Sequence, residues 1–476
     1  MRLPISVCIC LLFFYSCDKA LEIKPQNSLL NEVAITTPAD LSNVVEGIYD
    51  GLQSGMVLGG NRYIYADLFA DDAAVIETQL NGFGTLEIYN RTMTSQINDL
   101  RNMWRDGYSV INRANNVIRV INEGSLNTHA DFNPTTFTIY KASSLFARAI
   151  VHFEMVRFWG NAYDVDNPGS NTQLGIPYRK DATLAGPIGL EIARNSVEEV
   201  YNLVKDDLKE ANNMLDTLSD GSSLYNEWYR HKVDKWVVKA LLAKVYFFMG
   251  KYTEASSVAE EVINSGAFTL ETNPRNNFTK SGYANNDEQI FQLVSISTDQ
   301  SGNPAWGYSR YGYPLLTSLE SSMSLFHTND KRLDNINGYF YVSFFGDSTI
   351  AKYDLPNATN GINMTVLRLS EMHLIAAESN LSTGGNGNRI RSEALYTELY
   401  QTRVGSAPVI PSANDSLKTA IQLERRLEFM FEGDRYHNLK RMKQPLRNGV
   451  PYDDPSLLFR IPQEEMSGNP LMVQNP

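Results

Sequence analysis

Glu424, Glu428 and Glu432 recur every four residues in ERRLEFMFEGDRYHNLKRM, a spacing that sets all three carboxyls on one face of a helix. Two carboxylates flanking a bond are the equipment of glycoside hydrolysis, about 5 Å apart for retention and about 6.5–9.5 Å apart for inversion. The charges around them argue against that chemistry. A general acid needs a raised pKa, and Arg425, Arg426 and Arg435 stand beside these glutamates, where they are expected to hold them ionised. Neighbours on one helix face also cannot easily clasp a sugar from opposite sides. The stretch carries four acids against five bases. It reads as a structural charge network that ties a helix and the turn at Gly433 to neighbouring helices.

Other local chemistry is missing. The histidines, at 129, 152, 231, 327, 373 and 437, are too far apart for a zinc-type spacing, so neither metal nor cofactor is expected. GYSRYG around Ser309 fails the G-x-S-x-G pattern by one residue, and GFGTLE at Gly82 lacks the third glycine of a dinucleotide loop. An enzyme assembled from distant residues remains open at this level.

The chain has 476 residues, 43% hydrophobic and 20% charged, enough to bury a large core. A formal net charge of −12 without any Lys/Arg run argues against nucleic acid as a partner. MRLPISVCICLLFFYSC places Arg2 before an apolar stretch and reads as an export signal over residues 1–16. It is short of the roughly 20 apolar residues that span a bilayer. Cys8, Cys10 and Cys17 all lie in or at the end of it, so cleavage before Cys17 would leave one cysteine and no internal disulfide. A lone cysteine there looks like the lipid acceptor of a bacterial lipoprotein; a soluble secreted protein is the alternative. Residues 17–30 read as a tether and residues 31–476 as one folded body. No later segment supplies 18 uncharged apolar residues, so membrane attachment would be through lipid.

Paired helices set the rhythm of that body. In KWVVKALLAKVYFFMGKYTEASSVAEEVINSG, Gly250 separates two segments. The second keeps Ala255, Val258, Ala259, Val262 and Ile263 on one face. The first has two apolar stripes, Trp236, Ala240, Ala243 and Phe247 against Val237, Leu241, Val245 and Phe248, and must be covered on both sides. Ala243, Tyr246, Gly250, Tyr252, Ala255 and Ala259 resemble the spacing of a tetratricopeptide repeat. From about Leu270 to Thr365 the rhythm fails, with β-like runs at QIFQLVSIS and GYFYVSFF. The expected fold is mainly α: helical hairpins as scaffold plus an irregular, loop-rich half with short strands, in a single large domain.

The pattern E-R-x-x-E-F-x-F-E-G-x-R-x-x-x-L-K-R closely resembles the C-terminal signature of the SusD/RagB family, surface lipoproteins of Bacteroidetes-type bacteria. The resemblance takes in SCDKALEIKP, the helix around Trp104, the run RFWG at Arg157 to Gly160, the Tyr201 to Leu215 helix and RLSEMHLIAAE at Arg368 to Glu378. One departure is NAYDVDNPGSNTQLGIPY, which follows RFWG where relatives often have a short D-V-P-like segment. The resemblance implies four tetratricopeptide-like hairpins and a more irregular half carrying the binding surface. It also implies a non-catalytic role. The protein would be lipid-anchored at Cys17 to the outer face of the outer membrane. There it would capture a glycan, or in some members a peptide, above a SusC-like TonB-dependent transporter.

Sugar sites combine flat aromatic platforms with short polar side chains. NPAWGYSRYGYP is the richest such stretch, with Trp306, Tyr308, Tyr311 and Tyr313 around Arg310; Trp306 is the first choice for a platform. The same aromatics would serve equally to pack a loop onto the helices. A second candidate is NRYIYADLFADD with Asp71, leading to Asn81 and Phe83, while Tyr63, Tyr65 and Phe69 are expected in the core.

Overall fold

The computed structural model describes residues 35–476 apart from 77–83, 184–190, 219–229, 297, 301–304, 309–315, 343–347 and 355–360. The export signal, Cys17, the tether, Asn81, Phe83, Arg310, Tyr311 and Tyr313 lie outside the described residues, as does the side chain of Trp306.

Helices appear where the periodicity requires them. α1 (Pro38–Gln53), α2 (Asn61–Phe69) and α3 (Thr85–Asn90) precede the long helices α4 (Asn98–Glu123) and α5 (Pro134–Trp159). α6 (Val197–Asp216), α7 (Lys235–Phe248) and α8 (Tyr252–Ile263) follow. Among the described residues of the loop-rich stretch, the α-helices are the short α9 (Ala305–Tyr308) and α10 (Glu320–Met323). The rhythm then returns in α11 (Leu369–Leu381), α12 (Arg389–Val404), α13 (Asn414–Glu428), α14 (Asp434–Arg441) and α15 (Gln463–Gly468). Side chains fix several starts by accepting otherwise orphaned backbone N–H groups: Thr37 and Ser196 in capping boxes with Asp40 and Glu199, Asn133 at α5 and Asp234 at α7.

Successive helices from α4 to α8 pack as neighbours, and α11 continues the stack by packing on α8. α7 buries both of its predicted stripes and lies between α6, α8 and α11; Trp236 alone stays half-buried, under the ammonium groups of Lys235 and Lys239. The insertion after RFWG folds over the α7–α8 turn. A Cβ at Gly250 (φ 68°) would lie 2.6 Å from the Val165 carbonyl oxygen. From the other side Lys443 reaches Asp164 and Asp166 at 2.7 and 2.6 Å.

The strands pair antiparallel in twos. β1 (Ala73–Val75) joins β3 (Leu316–Ser318) with Ala73 opposite Ser318, and β2 (Gln289–Leu293) joins β6 (Met364–Arg368) with Gln289 opposite Arg368. β4 (Phe340–Val342) joins β5 (Ser348–Ile350). β2 and β4 fall in the two runs read as strands. Every residue of β2 and β6 is buried, and both strands pack on α7, which fastens the irregular half to the helices. One continuous apolar core runs from Ile35 to Met472, so the chain is a mainly helical single domain.

At Gly433 (φ 70°) the turn into α14 runs close against α2, since a Cβ there would lie 2.9 Å from the Tyr63 Cα and 3.0 Å from the Ala66 Cβ. The left-handed backbone and the lack of space add up. Gly433→Ala is expected to lower the unfolding free energy by about 2–4 kcal/mol in guanidinium titration; a variant as stable as the parent would contradict this packing.

Candidate functional site

α13 ends at Glu428, and left-handed residues at Phe431 (φ 67°) and Gly433 turn the chain into α14. Glu424 and Glu428 therefore share a helix face, as their spacing predicts, but Glu432 lies in the turn beyond the helix. The partners differ from expectation too. Arg425 sits about 100° around the helix from Glu424, and it pairs with Glu371 and Asp434 at 2.9 and 2.8 Å. Arg426 takes Asp72 at 2.7 Å, and Arg435 takes Asp71 at 2.9 Å.

The glutamates are held instead by cations from distant stretches. Glu428 accepts from Arg332 at 3.0 Å, from Arg403 at 3.0 and 2.7 Å, and from Arg368. Arg403 and Arg368 also reach Glu288, at 2.9 and 3.2 Å. Arg332 lies 2.7 Å from both Glu424 and Asp330. Glu432 takes Lys352 at 2.6 Å and Arg368 at 2.8 Å. The Phe429 ring lies between two guanidinium groups, 4.1 Å from that of Arg368 and 5.1 Å from that of Arg425.

Electrostatics separates two of these carboxyls. Burial pushes Glu428 up, but the Arg403 and Arg368 guanidiniums more than reverse that and hold it well below the usual range. At Glu424 burial outweighs Arg332 and the pKa is raised, contrary to the expectation that arginines hold all three glutamates ionised. Burial likewise lowers Lys352 to about 8, with Glu432 only partly opposing. One raised and one lowered carboxyl is the pattern of an acid–base pair. Glu424 and Glu428 are, however, only 2% and 0% exposed, out of reach of a polysaccharide.

The two aromatic stretches do meet in space. The described part of the second stretch, Ala305–Tyr308, lies against the first: a Cβ at Gly307 would meet the Ile64 side chain at 2.5 Å, and β1 after the first stretch pairs with β3. Tyr308 is fully buried, its hydroxyl donating to Asp67 at 2.6 Å and its ring stacked 5.5 Å from that of Tyr353. It anchors α9 to α2 and is not a surface contact, a correction to its candidacy as a ligand residue. Tyr63, Tyr65 and Phe69 are core residues, as expected. Asp71 is part-exposed, and its Arg435 and Arg426 partners connect this junction to the charge network.

A cleft that no sequence spacing signalled opens between α1 and the chain after β2. Tyr49, Asp50 and Gln53 line one wall, His231 and Lys232 the approach to α7, and Tyr283, Val294, Ile296 and Asp299 the other wall. Tyr283 is 65% exposed, and its ring lies 5.2 Å from that of His231 at 57°. Gln53 fixes the rim by donating to the carbonyls of Val294 and Asp299 at 2.7 and 3.3 Å. Lys232 lies 4.3 Å over the Tyr49 ring and donates to Glu46 at 2.6 Å. Burial, with Lys232 adding to it, pushes His231 down to about 4, so its imidazole is neutral at pH 7. These residues come from three separate stretches. The available signal was a lone tyrosine in the polar, turn-rich run SGYANNDE.

Residues 19–247 match a family described as "Starch-binding associating with outer membrane", and residues 277–456 match the SusD family. The chain belongs to the SusD/RagB family. A SusD-like protein of Formosa agariphila is 23% identical over 97% of this chain and 95% of its own length. Among solved structures, a SusD superfamily protein from Bacteroides thetaiotaomicron superposes with a TM-score of 0.77 at 22% identity, covering 92% of this chain and all of the other. A SusD-like carbohydrate binding protein from Bacteroides vulgatus superposes at 0.75 with 16% identity, covering 92% and 98%. The SusD match contains the network residues from Glu288 to Arg435, while Asp71 and Asp72 fall in the other match. Among the described residues no helix is long and apolar enough to cross a membrane, and no cluster of His, Cys, Asp and Glu is suited to a metal.

Removing one partner of a buried ion cluster costs about 3–5 kcal/mol. Glu428→Gln is expected to lose that much stability at pH 7. The folded pKa of Glu428 is depressed, so its contribution is complete above the unfolded value of about 4.3 and is lost as pH falls through the folded value. The gap between parent and variant should therefore close on acidification below about pH 4. A gap that widens in acid would contradict the assignment.

Proposed function

We propose that this SusD-family chain is a cell-surface lipoprotein that binds a glycan in the cleft between α1 and the end of β2. It would pass that glycan to a SusC-like TonB-dependent transporter. The observation that carries the reading is Tyr283, an open ring with His231 beside it and carboxylates, an amide and an ammonium group around it. Such a ring suits the apolar face of a pyranose, and the polar rim suits its hydroxyls. Family membership supports the reading, since one matched family is described as starch-binding and a similar solved protein as carbohydrate binding. Trp306 is proposed as a second platform, with Arg310, Tyr311, Tyr313, Asn81, Phe83 and Asp71 as further ligand contacts. Cys17 would carry the lipid that holds the protein to the outer face of the outer membrane. Binding proceeds without cleavage, in keeping with the burial of Glu424 and Glu428.

Tyr283→Ala should weaken glycan affinity about tenfold or more, on the order of 1.4 kcal/mol, with thermal unfolding unchanged; calorimetry that finds equal affinity would remove the cleft from the account. Trp306→Ala tests the second platform in the same way. Cys17→Ala should move the protein from the membrane to the soluble fraction, and a variant still sedimenting with membranes would refute lipid anchoring.

A further inference from the structure

We infer that the cleft selects uncharged glycans and rejects polyanionic ones, those built from uronic acids or bearing sulfate esters. This rests on the glycan-binding reading above and concerns the class of ligand at that site. The cleft continues along α1 into an adjoining hollow bordered by Asp50, Asp106, Arg113 and Asp299. Around the combined opening the described carboxylates are Glu46, Asp50, Asp106 and Asp299, and the described cations are Lys232 and Arg113.

Both cations are already engaged, and Asp106 is itself paired with Arg105 at 2.7 Å. Lys232 donates to the two Glu46 oxygens at 2.6 and 2.7 Å. Arg113 donates to the Gly47 carbonyl at 2.6 Å and lies 3.9 Å from Asp50. Glu46 and Asp50 have side chains 61% and 65% exposed, so their charge faces the opening. His231, neutral at pH 7, adds no positive charge beside the Tyr283 platform. A sulfate or uronate stacked there would displace a formed ion pair or lie against Asp299 and the loosely paired Asp50, within the roughly 8 Å over which physiological salt leaves charges unscreened. A neutral sugar meets no such opposition. Its hydroxyls can donate to the same carboxylates in charge-assisted hydrogen bonds.

The test is affinity electrophoresis of the full chain in gels containing amylose or laminarin as neutral probes, and alginate or ι-carrageenan as anionic ones, with the Asp50→Lys/Asp299→Lys variant in parallel. Retardation by a neutral polysaccharide, at least tenfold weaker retardation by both anionic ones, and a gain of alginate retardation in the variant are expected. Wild-type binding to alginate or carrageenan as tight as to either neutral probe would overturn the inference and leave the glycan reading standing. Retardation by neither class would overturn the glycan reading and this inference with it.

Discussion

A carboxylate cut off from water must have its charge answered where it lies, and Glu428 is answered by three guanidinium groups from three different elements. Arg368 ends β6, Arg403 stands on α12, and Arg332 lies in the turn before β4. None can be in place unless α13, α12 and the loop-rich half have all docked. Lys352 and Tyr353 extend the arrangement by donating to the carbonyls of Met430 and Phe431, which fixes the turn into α14. Arg426 and Arg435 carry it on to Asp72 and Asp71, where α2 gives way to β1. The helical scaffold and the irregular half are in this way one cooperative unit.

That constraint also explains what could be read from the chain. α7 and α8 were legible because their apolar periods report burial directly, and the charged stretch at 424–441 was legible as structural because its own charges nearly balance. The actual partners of Glu428 were not, since Arg332, Arg368 and Arg403 are brought to it only by the folded topology. A spacing of four continues past Glu428 and suggests that Glu432 is helical, but α13 ends at Glu428 and the left-handed backbone at Phe431 turns the chain away; nothing in that phenylalanine announces a positive φ. Tyr308 looked like a platform because aromatic density marks core and binding surface alike. Tyr283 stands alone in the sequence and acquires His231 as a neighbour only in space.

On the proposed function, support and recognition are separate in this molecule. The charge network is inaccessible and contributes rigidity, holding the α2–β1 junction and, through β2 and β6, the edge of the cleft. The proposed recognition surface is the open side, where the exposed Tyr283 and an acidic rim meet solvent. A SusD-family protein that captures without cleaving needs this division: a ligand surface that releases its cargo, on a frame that does not move with it.

Hydrogen–deuterium exchange with and without a saturating neutral glycan addresses this division most directly. Protection is predicted in peptides covering residues 46–54, 231–233 and 283–300, with exchange across 424–441 unchanged. Protection centred on 424–441, with the cleft peptides unaffected, would contradict it.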